Sequence, residues 1–92
     1  MPQVTEYILS AVFADAIATV EIDWKWKRVA SDIFETPNKT RARVVTRTEQ
    51  LRGLPMGTTI YKAHNWWNLS ESELARIRFM IKTGHLVERY HA

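Results

Sequence analysis

Apolar residues recur at helical spacing near the C-terminus, where one stripe is formed by Leu74, Ile77, Met80 and Ile81. Ser70 is a favourable N-cap residue, and Glu73 three positions later completes a capping box. Gly84 is the residue type that often follows a helix end, because glycine adopts positive φ at little steric cost. The pattern therefore predicts a helix over residues 71–83.

Alternation of apolar and polar residues predicts strands in the middle of the chain. It is strictest over residues 20–28, where one face carries Val20, Ile22, Trp24 and Trp26. Further strands are predicted at 41–48 and 58–63, and a short terminal strand at 85–90. Such alternation is typical of an antiparallel sheet that buries one face.

Residues 4–18 fit two patterns. A helical stripe is formed by Leu9, Val12, Phe13, Ala16, Ile17 and Val20. The same segment also alternates, with Tyr7, Leu9, Ala11 and Phe13 against polar neighbours. The Ala-Asp-Ala sequence at 14–16 offers a tight connection to the next predicted strand, which favours a strand hairpin over a helix. Both alternatives stay open, and residues 30–40 are expected to form a connector.

These elements predict a small α+β protein with a single domain spanning residues 1–92. We expect an antiparallel sheet of three to five strands packed against one C-terminal helix. The chain has no cysteine, which excludes disulfides, thiolate metal sites and a cysteine nucleophile. No apolar run is long enough for a membrane span and no signal peptide is evident, so we expect a cytoplasmic protein.

The net charge of +3 conceals an uneven distribution along the chain. Residues 1–23 contain four acidic residues and no Lys or Arg, whereas residues 24–62 contain nine basic and three acidic residues. Clustered positive charge attracts phosphates or acidic protein surfaces. The central block therefore contains the candidate binding residues Lys25, Lys27, Arg28, Lys39, Arg41, Arg43, Arg47, Arg52 and Lys62.

Several of these cations share predicted strand faces. Lys25 and Lys27 lie on one face of the strand at 20–28, and the strand at 41–48 presents Arg41, Arg43 and Arg47. Side chains two residues apart on a strand are about 6.8 Å apart, so each array would present stepped cations. If the two strands are neighbours, their charged faces merge into one basic surface that binds phosphates. The alternative is a solvated face neutralised in part by nearby acidic residues.

Three aromatic residues are additional candidates for a contact surface. Trp66 and Trp67 are adjacent, and neighbouring side chains of an extended chain point in opposite directions. One of these rings is available to stack on a base or fill a partner's pocket, or else simply covers the surface. Phe79 is out of phase with the apolar stripe of its helix. Trp24 and Trp26, by contrast, are expected in the core.

Catalytic and cofactor motifs are missing from the sequence. The histidines lack metal-binding spacing, and no phosphate-cradling loop or nucleophile motif is present. We therefore expect no enzyme activity, no metal and no cofactor.

The terminal residues Arg89, Tyr90 and His91 are similar to the ending of some bacterial toxin ribonucleases of the RelE/YoeB type. In that family a C-terminal tyrosine and histidine help to cleave messenger RNA, so the resemblance implies a ribonuclease as an alternative function. The match covers three residues, and those toxins place helices first and strands last.

Taken with the charge pattern, these features favour binding without catalysis. The predicted partner is nucleic acid, or the nucleic-acid channel of a nucleoprotein complex, with no membrane and no small-molecule substrate. Small phage-encoded inhibitors of bacterial defence, including anti-CRISPR proteins, fit this profile. A winged-helix DNA-binding regulator is a further alternative, which requires helices before the C-terminal one.

Overall fold

A mixed sheet of six strands forms the centre of the molecule. The computed structural model describes residues 3–90. The strands are β1 (Val4–Leu9), β2 (Lys27–Arg28), β3 (Ile33–Glu35), β4 (Arg41–Val45), β5 (Thr58–Lys62) and β6 (Leu86–Glu88). They lie in the order β2-β3-β4-β1-β5-β6. Strands β4, β1, β5 and β6 are mutually parallel, whereas β3 runs antiparallel to both β4 and β2.

Two α-helices cover opposite faces of this sheet. Helix α1 (Phe13–Ala18) follows β1 and continues as a π-helical turn over Thr19–Asp23, and helix α2 (Glu71–Lys82) connects β5 to β6. Short 3₁₀ turns occupy Thr48–Leu51 and Trp66–Asn68. No helix among residues 3–90 is long and apolar enough to cross a membrane.

Each face of the sheet has its own apolar cluster. The cluster beneath α1 consists of Ile8, Ala16, Val20, Trp26, Phe34, Ala42, Val44, Tyr61 and Ala63. The cluster beneath α2 consists of Leu9, Val45, Leu51, Ile60, Leu69, Ile77 and Leu86. Ile8 and Leu9 are adjacent, fully buried and on opposite faces, so β1 contributes to both clusters.

The α+β class is confirmed, but the sheet has six strands where three to five were predicted, and it is mixed, with antiparallel pairing only among β2, β3 and β4. The connections explain the difference. Parallel strands require crossover segments, and the helical segments after β1 and after β5 supply them. Strands at 41–45, 58–62 and 86–88 and the C-terminal helix lie where the sequence predicted them.

The predicted strand over residues 20–28 is wrong. Residues 19–23 are helical, Lys25 has a φ of 61°, and only Lys27 and Arg28 are extended in a strand. Ile22 is 69% exposed although it shares the alternating face with buried Val20. Residues 19–23 continue α1, so the alternation of apolar and polar residues over 20–28 does not come from a strand.

The N-terminal segment is neither the favoured hairpin nor a single helix. It is strand β1 followed by α1, and residues 14–16 lie inside the helix instead of forming a turn. Ser10 marks the change of direction. Its buried hydroxyl donates to the carbonyl of His64 at 2.8 Å and accepts from the Val12 N–H at 3.2 Å, which ends the strand and positions the first helical turn.

Candidate nucleic-acid interface

The half of the sheet that α2 leaves uncovered carries a cluster of cations on β2, on β4 and in the connection between β3 and β4. Ala42 and Val44 belong to the cluster beneath α1, so alternation places Arg41 and Arg43 on the opposite face. Across the strands, Lys27 pairs with Glu35 and Glu35 with Arg41. Cross-strand partners share a face, so the three side chains form one row. We call the surface formed by Lys27, Asp32, Glu35, Lys39, Arg41 and Arg43 the basic face.

Acidic residues neutralise part of the basic face. Arg43 Nε lies 3.4 Å from Asp32, and Lys39 Nζ lies 3.7 Å from Glu35. Both ion pairs are partly exposed to solvent, so the attraction between their charges is weak. Four cations against two carboxylates leave an excess of two positive charges on this face, which favours an anionic ligand.

Arg41 has an unsatisfied donor. Its Nε is buried and has no hydrogen-bond acceptor among the described residues. Its cross-strand neighbours are Glu35 on one side and Val4 on the other. A buried donor without an acceptor is unfavourable and rare in folded proteins, so Arg41 is held at a cost in stability.

A cavity of about 330 Å³ lies on the strand next to the two arginines, which are not part of its lining. It lies at the amino-terminal ends of β1 and β5, and its walls include Val4, Tyr7 and Met56. Val4 is the register partner of Arg41 and Tyr7 that of Arg43, so two residues of the cavity wall lie beside the arginines on the neighbouring strand. An apolar and aromatic cavity therefore lies next to an anion-attracting surface.

The remaining predicted cations are scattered over other parts of the molecule. Arg28 pairs with Phe34 in register and so lies on the α1 face, where it approaches Glu21 at 3.8 Å. Arg47 pairs with Glu49 at 3.6 Å beyond the end of β4, while Arg52 and Lys25 are exposed in connecting segments. The single basic surface predicted from two adjacent strands is thus only partly assembled.

Lys62 is engaged within the chain. Its ammonium lies 3.3 Å from Glu88 and 4.1 Å from the centre of the Trp66 ring. Trp66 is half-buried against the cluster beneath α2. Lys62 is therefore remote from the basic face, and its ammonium already has two partners.

The exposed aromatic residues also lie apart from the basic face. Trp67 is 49% exposed, with its ring 5.1 Å from that of His64, and Phe79 is 63% exposed on α2. Trp26 is buried, as predicted, and Trp24 packs against the same cluster with the two ring centres 5.0 Å apart.

Sequence reasoning missed the residues that complete the neighbourhood of Arg41 and Arg43. Val4 and Tyr7 reach them through parallel pairing between β1 and β4, a contact between segments about 37 residues apart. No local pattern carries that information. A second cavity, lined in part by Tyr61, Glu88 and Arg89, was missed for the same reason.

Of the three terminal residues that are similar to the toxin ribonucleases, the structure describes Arg89 and Tyr90. Tyr90 is 84% exposed, and His91 lies outside the described residues. Residues 3–90 contain no group of three or more His, Asp or Glu side chains arranged to hold a metal ion.

Comparison with protein-family models, with curated proteins and with solved structures finds no match for this chain.

Proposed function

We propose that this chain is a non-catalytic protein that binds single-stranded nucleic acid through its basic face. The observation that carries the proposal is the excess of two positive charges on the basic face, where Arg41 and Arg43 lie beside Val4 and Tyr7 of the cavity wall. A phosphate group would neutralise part of this excess charge, and guanidinium groups bind phosphate through two parallel hydrogen bonds.

Single-stranded ligands fit this surface better than duplexes do. A cavity lined by Tyr7, Val4 and Met56 suits an unstacked base, which duplex DNA does not offer. Binding would combine phosphate contacts at Arg41 and Arg43 with apolar contacts to one base.

The test uses a fluorescently labelled oligouridylate of about twelve nucleotides. Its binding is measured by fluorescence anisotropy at several salt concentrations. Arg41→Gln removes the guanidinium, and we expect about tenfold weaker binding, or ~1.4 kcal/mol. Each lost phosphate contact should also reduce, by about 0.7, the slope of the logarithm of the affinity against the logarithm of the salt concentration. Arg52→Gln is the matched control, since it removes the same charge from an exposed segment outside the basic face.

Three outcomes would contradict the proposal. Equal weakening by Arg41→Gln and Arg52→Gln would show that only net charge matters. Cleavage of the oligonucleotide would support the ribonuclease alternative implied by Tyr90 and His91. No binding at low salt, together with capture of a bacterial nucleoprotein complex that Arg41→Gln abolishes, would instead indicate an inhibitor of such a complex.

A further inference from the structure

A second cavity, of about 240 Å³, lies at the carboxyl ends of β5 and β6. Its aromatic walls are Trp24, Tyr61, Trp66 and Tyr90, and its charged walls are Lys62, Glu88 and Arg89. The carboxyl ends of parallel strands are a common place for ligands in open sheets with helices on both faces. We call it the aromatic cavity.

The aromatic cavity is separate from the basic face. Arg43, Tyr7, Ile60 and Glu88 are successive register partners across four strands. Three strand spacings place Glu88 about 14 Å from Arg43, and the residues between them lie beneath α2. A single nucleotide on Arg43 would not reach Glu88, so the aromatic cavity is a distinct site.

The charges of the aromatic cavity exclude a cationic ligand. Aromatic walls beside a carboxylate would otherwise suit a quaternary ammonium. Here the carboxylate of Glu88 already binds Lys62, whose ammonium also occupies one face of Trp66. Arg89 forms no ion pair with any described residue, so its charge is the one left for a ligand, and it selects an anion.

The volume of the aromatic cavity indicates the size of the ring system that accompanies the anionic group. A protein cavity of about 150 Å³ holds benzene, so 240 Å³ has room for a two-ring heterocycle. Tryptophan and tyrosine faces stack on nucleobases irrespective of base identity. A flat bicyclic ring with an attached anion therefore matches both the walls and the charge.

We propose that the aromatic cavity binds a purine nucleoside monophosphate, with the base against the aromatic walls and the phosphate on Arg89. This site is independent of the single-stranded nucleic acid proposed for the basic face. It would make the protein responsive to a free nucleotide or to a terminal purine of a chain. The two sources share the same base and phosphate chemistry.

Isothermal titration of the full chain with AMP, adenosine and choline tests this assignment. We expect saturable binding of AMP, about tenfold weaker binding of adenosine, and no binding of choline. Arg89→Gln should reduce the affinity for AMP to that for adenosine while leaving adenosine binding unchanged. Tyr90→Ala should weaken both ligands, and because Tyr90 is exposed the variant should keep its fold.

Arg52→Gln is the charge control, because Arg52 is exposed outside the aromatic cavity and the basic face and its loss should leave AMP binding unchanged. Loss of AMP binding in Arg41→Gln, with normal binding in Arg89→Gln, would place AMP on the basic face instead. A short RNA with a 5′-phosphorylated terminal adenosine that competes with AMP would identify a chain end as the ligand source. The assignment would be overturned if AMP failed to saturate at millimolar concentration, if choline bound more tightly than AMP, or if Arg89→Gln bound AMP normally.

Discussion

Tyr61 combines burial with a charged hydrogen-bond acceptor. It is 5% exposed, and its hydroxyl donates to Glu6 Oε1 at 2.5 Å across β1 and β5. Burial raises the pKa of the Tyr61 phenol far above its usual value of 10.0, and the hydrogen bond to the Glu6 carboxylate raises it further. The folded state therefore holds this proton more tightly than the unfolded chain does.

This difference predicts a loss of stability in alkaline solution. Above pH 10 the unfolded chain releases the Tyr61 proton while the folded protein keeps it, so the free energy of unfolding should fall as pH rises. Urea midpoints measured at pH 8 and at pH 10.5 will show the decline. In Tyr61→Phe the decline should be shallower, whereas Tyr90→Phe, whose ring is exposed, should behave as the parent does. Equal slopes in all three proteins would contradict the assignment.

Glu73 joins α2 to the segment that follows β4. Its backbone N–H donates to Ser70 Oγ at 3.3 Å, as the capping pattern predicted. The reciprocal half of the predicted capping box is replaced, because the Glu73 carboxylate accepts from the Thr48 N–H at 3.1 Å and from the Ser70 hydroxyl at 3.2 Å. The side chain thus fixes the 3₁₀ turn over Thr48–Leu51 against the start of the helix.

Removing this carboxylate should destabilise the fold more than its position in the first helical turn implies. We expect Glu73→Ala to lower the free energy of unfolding by about 1–2 kcal/mol, because the Thr48 N–H loses its acceptor. Glu71→Ala is the matched control, since Glu71 is an exposed acid in the same turn. Glu73→Gln retains an acceptor and should recover part of the loss. Urea unfolding of the three variants measures these free energies. Equal losses of stability in Glu71→Ala and Glu73→Ala would show that Glu73 acts only through its charge near the helix N-terminus.

The wrong strand at 20–28 shows how two periods compete in one segment. Ala16, Val20 and Trp24 are spaced four apart, and all three contribute to the cluster beneath α1. This helical spacing continues from α1 into the π-helical turn, and the alternating charged residues are exposed both within that turn and after it. Sequence reasoning gave weight to the alternation because eight residues satisfied it, and the tertiary contacts favoured the other period.

Strand direction was unpredictable for a different reason. The chain between β4 and β5 is long enough to cross over the sheet, and β1 lies between the two strands. The signal for a central parallel strand was present in the consecutive apolar residues Tyr7, Ile8 and Leu9. Arg41 and Arg43 were correctly placed on one strand face, but their neighbours Val4 and Tyr7 follow only from this non-local pairing.

At the scale of the whole molecule, β1 connects the two apolar clusters. Ile8 faces the cluster beneath α1 and Leu9 the cluster beneath α2, and both are fully buried. A protein of 92 residues has an expected stability of about 5–14 kcal/mol, so neither cluster has much stability of its own. The two faces should therefore fold as one cooperative unit.

Truncation at either residue tests this cooperativity. We expect Ile8→Ala and Leu9→Ala each to lower the free energy of unfolding by about 2–5 kcal/mol, because both leave a cavity in a fully packed cluster. Val87→Ala, on the edge strand and 40% exposed, should cost less than about 1 kcal/mol. In urea titrations, far-ultraviolet circular dichroism reports the secondary structure and tryptophan fluorescence reports the packing of Trp24, Trp26 and Trp66.

Coincident transitions by the two probes in both variants would indicate that the loss of one cluster unfolds the other. A fluorescence transition that precedes the loss of secondary structure in only one variant would show that the two clusters unfold separately. In that case β1 would be a boundary between two structural units. Because Tyr61 belongs to the cluster beneath α1 and Trp66 packs against the cluster beneath α2, a cooperative fold instead predicts that AMP raises the urea midpoint reported by both probes equally.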